Sequence, residues 1–225
     1  PDIESLSGEF LMETLNDCYD RDGLEETIVI TRSNKRAMLY NGGIRNMILY
    51  REEELTTGDM LIVSKNNYYW AKDYKELDFI ANGDVAVVQR VRHIHEQYGF
   101  HFAEVTLQFP DYEEAPSSAD EERAEAFELT STVLLDTLTA ESPALTREQQ
   151  QQLYERVMED YADIPLKADR LKQLKQDRYY NALQVKFAYA VTCHKAQGGQ
   201  WSHVYIDQGY MTDDMLTPDY IHWLY

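Results

Sequence analysis

One segment near the end of the chain concentrates side chains that suit the binding of an anion. It runs Y-A-V-T-C-H-K-A-Q-G-G-Q-W from Tyr189 to Trp201. Its hydroxyl, imidazole, ammonium and amide groups donate hydrogen bonds to anions, and they belong to Thr192, His194, Lys195 and Gln197. Gly198 and Gly199 would let the backbone come close to a bound ligand. The residue types therefore indicate an anionic ligand.

The position of this segment favours the same chemistry, although a second interpretation stands beside it. Alternating apolar residues predict a buried strand that leads into it, marked by Val185, Phe187, Tyr189 and Val191. Open α/β sheets bind their ligands at the carboxyl ends of the strands. The alternative is an ordinary capped helix end, in which Gly198 and Gly199 only stop the helix.

A strand, a turn and a helix are predicted near the start of the chain. The apolar run Thr27–Ile30 is typical of a strand buried on both faces. Ser33 or Asn34 then caps a helix that continues to Ile44. Strand, turn and helix in this order indicate an α/β unit. Its further predicted elements are a helix over Ser5–Asp20, a strand over Val204–Ile206 and the start of a helix at Tyr220–Tyr225.

The pattern changes twice in the middle of the chain. Short apolar stretches separated by turns containing glycine predict a small antiparallel barrel over residues 56–110. Residues 111–180 are predicted to form an acidic helical insertion. The evidence is a helix face with Phe127, Leu134 and Leu138, a capping box at Thr146 and Gln149, and Pro165 as the start of a last helix.

Composition limits the class of protein. The 225 residues are 44% hydrophobic and 27% charged, as expected for one or two globular domains. No apolar run approaches the roughly 20 residues that a membrane span needs, and the start lacks the pattern of a signal peptide. The two cysteines, Cys18 and Cys193, argue against a disulfide framework. We therefore expect a cytoplasmic protein.

The net charge of −19 argues at first against a nucleic-acid partner, but its distribution is uneven. Residues 1–26 carry nine acidic and one basic side chain, and residues 111–169 carry sixteen and four. The rest of the chain is nearly neutral, so a phosphate-binding surface is compatible with it. The acidic runs are either solvated helix faces or an interaction surface.

The segment from Thr192 to Trp201 resembles motif V of superfamily 1 helicases. The closest pattern is that of the RecD-like branch, the exonuclease V alpha subunit family, which usually has T-x-H-K-S-Q-G-S-E-[FW]. Gln200 stands where that family has a glutamate that meets the nucleotide ribose, and Ala196 and Gly199 are milder departures. Residues 31–37, T-R-S-N-K-R-A, resemble the motif IV region that opens the second motor domain.

The resemblance implies a fold and a domain organisation. The fold class would be α/β, a RecA-like (P-loop NTPase-like) second motor domain formed by residues 1–55 and 181–225. Residues 58–84 resemble the SH3-like small β-barrel inserted in that domain of RecD-like helicases, here assigned to residues 56–110. The helical insertion at 111–180 is the part that the resemblance covers least.

The resemblance also implies a function, that of the C-terminal motor domain of an ATP-dependent DNA helicase moving 5′ to 3′. Such a domain holds single-stranded DNA and half of an ATP site. The implied nucleotide contacts are Arg32, at the γ-phosphate, and Gly198, Gly199 and Gln200. The implied DNA contacts are Thr192, His194, Lys195 and Gln197. The partners would be single-stranded DNA and a first motor domain, while a nuclease or repair partner stays open.

Parts of the helicase machinery are missing from the sequence. No Gly-Lys dipeptide occurs, so the chain has no Walker A phosphate loop. In the family, that loop and the Mg²⁺ site belong to the first motor domain, and the motif VI arginine follows residues like Tyr220–Tyr225. We therefore expect a fragment with no catalytic residue of its own. It would bind no cofactor and hydrolyse no ATP alone, whereas the whole protein would use ATP and Mg²⁺.

Two other groups of residues could bind ligands. Tyr69 and Trp70, in the run N-N-Y-Y-W, could stack on the bases of a single strand or could pack in the barrel core. His93, His95 and His101 are interpreted as exposed barrel histidines, because no nearby cysteine or carboxylate completes a metal site. No metal site is therefore expected.

A second class of function fits the same sequence. The chain could be a non-enzymatic binding module that carries a barrel, or an acidic protein that mimics DNA. A helicase motor should bind single-stranded DNA in a salt-dependent way, whereas a mimic should bind a basic protein and ignore DNA.

Overall fold

The structure of the chain, a computed structural model, describes residues 3–74, 77–113 and 126–209. The chain divides into two compact units. The sheet unit comprises residues 1–52 and 188–225, and the barrel unit comprises residues 53–187. The predicted loop at 116–118 and the predicted helix at 220–225 lie outside the described residues.

The sheet unit is built on three parallel strands. They are β1 (Thr27–Thr31), β7 (Ala190–Thr192) and β8 (His203–Asp207), in the order β7-β1-β8. Thr31 pairs with Thr192 on one side and with Asp207 on the other. Because the strands are parallel and in register, their carboxyl ends meet at one edge of the sheet.

Helices accompany these strands. α1 spans Leu11–Asp22 and ends at Gly23, whose φ of 98° suits glycine. It begins later than the predicted Ser5. α2 spans Asn34–Gly43 and continues into a π-helical turn at Ile44–Ile48. The hydroxyl of Ser33 accepts a hydrogen bond from the backbone N–H of Arg36, which confirms the predicted cap.

The barrel unit contains a closed barrel of five strands in the order β2-β3-β4-β5-β6. β5 and β6 pair in parallel, and the other neighbouring pairs are antiparallel. The strands are β2 (Met60–Val63), β3 (Val85–Gln97), β4 (Phe100–Glu113), β5 (Ala126–Leu134) and β6 (Leu183–Phe187).

The predicted extent of the barrel, residues 56–110, is wrong because β5 and β6 come from later in the chain. The predicted helix face with Phe127, Leu134 and Leu138 is wrong for the same reason. Phe127, Leu129 and Val133 are buried, whereas Glu128 and Thr130 are exposed. This alternation belongs to a strand. The spacing of the three predicted residues matched a helix only by coincidence.

The single strand predicted from Val185 to Val191 is also wrong. The structure has two strands there, β6 in the barrel unit and β7 in the sheet unit, separated by Ala188 and Tyr189. The boundary between the units therefore falls after Phe187 rather than after residue 180. The sequence does not reveal the break because both strands are buried, and apolar residues continue across it from Phe187 to Val191.

The helical part of the insertion is shorter than residues 111–180. α3 (Arg147–Asp160) and α4 (Lys167–Leu174) follow a short 3₁₀ turn at Leu135–Thr137. The predicted capping box at Thr146 and Gln149 is confirmed, with both reciprocal hydrogen bonds present. These helices pack on the β3–β4 hairpin through a cluster that includes Phe100, Phe102, Leu153, Val157 and Leu174. None of the helices in the described ranges has the length and apolar character to cross a bilayer.

α5 is a short helix in the sheet unit, Cys193–Ala196, between β7 and β8. It lies in the segment for which an ordinary capped helix end was the alternative interpretation. It carries His194 and Lys195, so the candidate anion-binding segment starts at the carboxyl end of β7.

Candidate functional site

The carboxyl edge of the parallel sheet gathers polar side chains from three separate parts of the sequence. β1 ends at Thr31, β7 at Thr192 and β8 at Asp207. The Thr31 hydroxyl donates to the carbonyl of Ser33 at 3.0 Å and lies 3.4 Å from the carbonyl of Val191. Thr31 is thus tied both to the start of α2 and to the neighbouring strand. The segments that follow the strands therefore begin side by side.

Arg32 is oriented by the turn that follows β8. Its Nη1 donates to the carbonyl of Gln208 at 3.3 Å. A Cβ added at Gly209 would lie 3.8 Å from the same nitrogen, so the guanidinium packs on bare backbone there. Asp207 fixes this turn, because its Oδ1 accepts from the N–H of Gly209 at 2.9 Å. Arg32 is half-buried at the edge where ligands bind in open α/β sheets.

Arg36 is a second cation at this edge that the sequence analysis did not single out. Its Nε donates to the carboxylate of Asp207 in a short ion pair. That hydrogen bond raises the pKa of Arg36 above its usual value. Burial raises the pKa of Tyr40, whose ring centre lies 5.7 Å from the guanidinium carbon of Arg36. The sequence contained one signal for this ion pair: Asp207, an acidic residue, directly follows the predicted strand Val204–Ile206.

The segment after β7 is joined to β1 by its first residue, Cys193. The thiol of Cys193 donates to the carbonyl of Thr31 at 3.4 Å. The predicted donors on both sides of Cys193 are accessible to solvent: His194 and Gln197 are exposed, and Thr192 and Lys195 are half-buried. The structure therefore places these four residues and Arg32 on the same edge of one sheet.

The two glycines of the segment have different structural roles. Gly198 has φ +86°, a left-handed conformation that favours glycine, and it is exposed. A Cβ added at Gly199 would lie 2.0 Å from the ring of Trp201, so the indole covers the backbone at that position. Gln200 is exposed. The geometry gives Gly199 a packing reason besides the predicted nucleotide contact.

Tyr69 and Trp70 belong to the barrel unit and serve there as anchors. The Tyr69 hydroxyl donates to the carbonyl of Gln176 at 3.0 Å, and Trp70 Nε1 donates to the carbonyl of Asn181 at 2.9 Å. The ammonium of Lys72 lies 3.8 Å from the centre of the Tyr69 ring. These contacts hold the segment before β6 and favour the packing role over base stacking.

The rings of His95 and His101 in the β3–β4 hairpin form hydrogen bonds to different groups. His95 Nδ1 lies 2.6 Å from the carbonyl of His93, and its Nε2 lies 3.2 Å from the Tyr179 hydroxyl. His101 Nδ1 lies 3.3 Å from a carboxylate oxygen of Glu54, and this hydrogen bond raises the pKa of His101. Across the described ranges, no group of three or more histidine, cysteine, aspartate or glutamate side chains is arranged to hold a metal ion.

A comparison with protein families finds a match at the end of the chain. The family model for the UvrD-like helicase C-terminal domain matches residues 187–225. The match covers β7, α5 and β8 and continues beyond the described residues. No curated protein matches the chain. The match supports a superfamily 1 helicase C-terminal region and, more generally, a helicase motor domain whose parent is an ATP-dependent helicase. The mixed α/β structure with its barrel is compatible with a RecA-like fold.

Proposed function

We propose that the chain is the C-terminal motor domain of a RecD-like, ATP-dependent DNA helicase that moves 5′ to 3′. The observation that carries the proposal is the segment T-C-H-K-A-Q-G-G-Q-W at the carboxyl end of β7. It begins in register with β1, whose next residue is Arg32. Family match and geometry therefore point to the same edge of the sheet.

This edge suits a nucleotide polyphosphate. Phosphoryl transfer depends on positioning and on positive charge at the γ-phosphate. Arg32, held by the turn after β8, would supply that charge, and Gly198, Gly199 and Gln200 would approach the nucleotide. Asp207 is engaged by Arg36, so the edge offers cations rather than a Mg²⁺ site. The Mg²⁺ would be held by a first motor domain, and this chain alone would hydrolyse no ATP.

The same edge would hold the DNA. Thr192, His194, Lys195 and Gln197 would contact the phosphates of a single strand, which such proteins bind chiefly through the backbone. The hydrogen bond from Cys193 to Thr31 joins this segment to the strand that precedes Arg32. A movement of Arg32 on ATP binding would therefore be transmitted to the DNA contacts. This link is the proposed basis of stepping.

Binding of single-stranded DNA by His194→Ala tests the DNA contacts. A fluorescently labelled oligothymidylate is titrated with the chain at two salt concentrations. We expect His194→Ala to weaken binding about three- to tenfold and wild-type binding to fall with salt. The matched control is His101→Ala, another exposed histidine, in the barrel unit. Equal affinities for wild type and His194→Ala would contradict the assignment, and binding only to a basic protein would support an acidic DNA mimic.

The role of Arg32 is tested by steady-state ATPase measurements. These use a longer protein in which the chain follows a domain with a Walker A loop. Arg32→Ala should lower kcat by about 10²–10³-fold with little change in KM, as expected for charge that acts in the transition state. The control is Arg90→Ala, an exposed arginine on β3. A normal kcat in Arg32→Ala would refute the role.

A further inference from the structure

The carboxylate of Asp207 uses both of its oxygens at the carboxyl edge of the sheet. Oδ1 accepts from the backbone N–H of Gly209 at 2.9 Å, which is the hydrogen bond of an Asx-turn. Oδ2 accepts from Nε of Arg36 in a short ion pair. The Asp207 side chain is only 13% exposed. One carboxylate therefore joins the turn after β8 to the first turn of α2.

The same turn also contacts Arg32. The carbonyl of Gln208 accepts from Nη1 of Arg32 at 3.3 Å. Gly209 has φ +66°, a left-handed conformation that favours glycine, so the direction of this carbonyl depends on the closed turn. Asp207 thus acts on Arg36 directly, and it acts on Arg32 through the backbone that its carboxylate holds in place.

Arg36 keeps donors for a ligand while it is paired with Asp207. A guanidinium group has five N–H donors, and the ion pair uses the one at Nε. The Arg36 side chain is 47% exposed, and its guanidinium carbon lies 5.7 Å from the ring centre of Tyr40. Guanidinium groups bind phosphate through two parallel N–H bonds. Arg36 therefore suits a phosphate at the same edge of the sheet as Arg32.

The charges of the two segments that meet at this turn favour an anion. Residues 31–37 and 207–209 contain three basic side chains, Arg32, Lys35 and Arg36, and one acidic side chain, Asp207. The carboxylate of Asp207 is already paired with Arg36. The balance of these segments is therefore positive, although the net charge of the chain is −19. An anion that binds there meets an excess of cations.

We propose that Asp207 is a positioning residue, which holds Arg32 and Arg36 as a pair that binds one phosphoryl group, the terminal phosphate of a nucleotide. Arg36 is then a second phosphate contact beside Arg32. Asp207 touches no substrate. It fixes both guanidinium groups before the nucleotide arrives, as outer partners fix the ligands of a metal, and charge that is oriented in advance stabilises a transition state without reorganisation. The inference rests on the proposed function, which brings the nucleotide to this edge.

Binding of inorganic triphosphate to the 225-residue chain tests the pair. The Nε–H groups of the arginines are followed in ¹H–¹⁵N NMR spectra during the titration, and the same spectra show that each variant is folded. We expect the Arg32 and Arg36 signals to shift with one common Kd. Arg36→Gln should weaken triphosphate binding about fivefold. Asp207→Asn should weaken it about threefold, because it breaks the ion pair with Arg36 while its amide oxygen can still close the turn.

The sign of the Asp207→Asn effect separates positioning from simple electrostatics. Removing a negative charge beside a phosphate should by itself tighten binding. Tighter or unchanged binding therefore overturns the proposal, as does a shift of the Arg32 signal alone, and both outcomes leave the proposed function standing. If triphosphate shifts neither signal, the nucleotide site is contradicted and the pair with it. Asp169→Asn is the matched control, because its carboxylate pairs with Lys172 in the barrel unit, and it should leave the affinity unchanged.

Steady-state ATPase rates supply a readout that a purely structural role would not move. They use the longer protein in which the chain follows a domain with a Walker A loop. Asp207→Asn and Arg36→Gln should each lower kcat/KM about tenfold. Added to Arg32→Ala, Asp207→Asn should cause a further loss well below tenfold, because residues that act as a unit have non-additive effects. A full further loss would show that Asp207 and Arg32 act independently and would overturn the proposal.

Discussion

The two units treat the edges of their sheets in different ways. The barrel unit closes on itself, and Leu61 on β2 pairs with Phe187 on β6 to complete the ring. In the sheet unit, a side chain forms hydrogen bonds with backbone groups on the outer edge of β7. Asn41 of α2 accepts from the N–H of Ala190 at 2.8 Å and donates to its carbonyl at 2.9 Å. A closed barrel removes free edges altogether, whereas an open sheet must cap them.

The difference extends to the side chains. The barrel interior is apolar, with Ala103, Val105 and Leu107 fully buried on one face of β4. The sheet unit instead brings Arg32, Arg36 and Asp207 to the ends of its strands. Closure therefore favours stability, while parallel strands with free carboxyl ends leave a place for ligands.

Phe102→Ala should have the largest effect, because it opens a cavity in the apolar cluster through which α3 and α4 pack on the β3–β4 hairpin. Phe102 is fully buried, and its ring centre lies 5.0 Å from that of Tyr179. We expect the free energy of unfolding to fall by about 3–5 kcal/mol, measured by urea denaturation. Ile94→Ala, at a half-exposed residue of β3, is the control and should cost far less. Similar losses in both variants would contradict this account of the barrel.

Asn41→Ala tests whether one side chain really substitutes for a neighbouring strand in the sheet unit. The change leaves the buried N–H and carbonyl of Ala190 without their Asn41 partners. The expected loss is about 2–4 kcal/mol, since each unsatisfied buried group costs about 1–3 kcal/mol. Urea denaturation measures it, and hydrogen exchange at the Ala190 amide should accelerate. Asn46→Ala, at an exposed residue of the π-helical turn, should change neither quantity.

Lys186→Met tests whether the burial of a lysine on β6 destabilises the barrel unit. Burial lowers the pKa of Lys186 on β6 to about 8, below its usual 10.5. The unfolded chain therefore binds this proton more tightly, and wild-type stability should rise as the pH rises from about 8 towards 10.5. The variant should lack that rise. Partial exposure limits the difference to about 1–2 kcal/mol. Parallel stability–pH curves for the two proteins would refute the effect.

Tyr161→Phe should have the smallest effect, at the outer helices of the barrel unit. The Tyr161 hydroxyl donates to Asp177 at 2.8 Å, and burial, with this bond, raises its pKa to about 12. Its contribution of about 1 kcal/mol is present below pH 10 and is lost as the pH rises towards 12. Stability of both proteins at pH 8 and pH 11.5 measures it. Tyr68→Phe, at an exposed tyrosine, is the control.

Local features of the fold were predictable from the sequence, and distant pairings were not. The cap at Ser33 and the capping box at Thr146 depend on residues three apart, so their pattern is visible in the sequence. β5 and β6 join a barrel whose first strands lie far upstream, and nothing local assigns them to it. In the candidate site, Arg32 and the residues after β7 were predicted. Arg36 and Asp207 were missed because they are 171 residues apart.

The pairing of β2 with β6 has a consequence for how the chain folds during synthesis. β1 cannot pair with β7 until β7 has been synthesised, and residues 53–187 lie between the two strands. Closing so long a flexible loop costs about 4 kcal/mol in chain entropy. Because Leu61 pairs with Phe187, a barrel that is already folded holds the two ends of this insertion together before β7 is added. The loop that β1 and β7 must close then shrinks to about 35 residues, from Val29 to Leu61 and from Phe187 to Ala190. Prior folding of the barrel therefore lowers this entropic cost by about 1 kcal/mol.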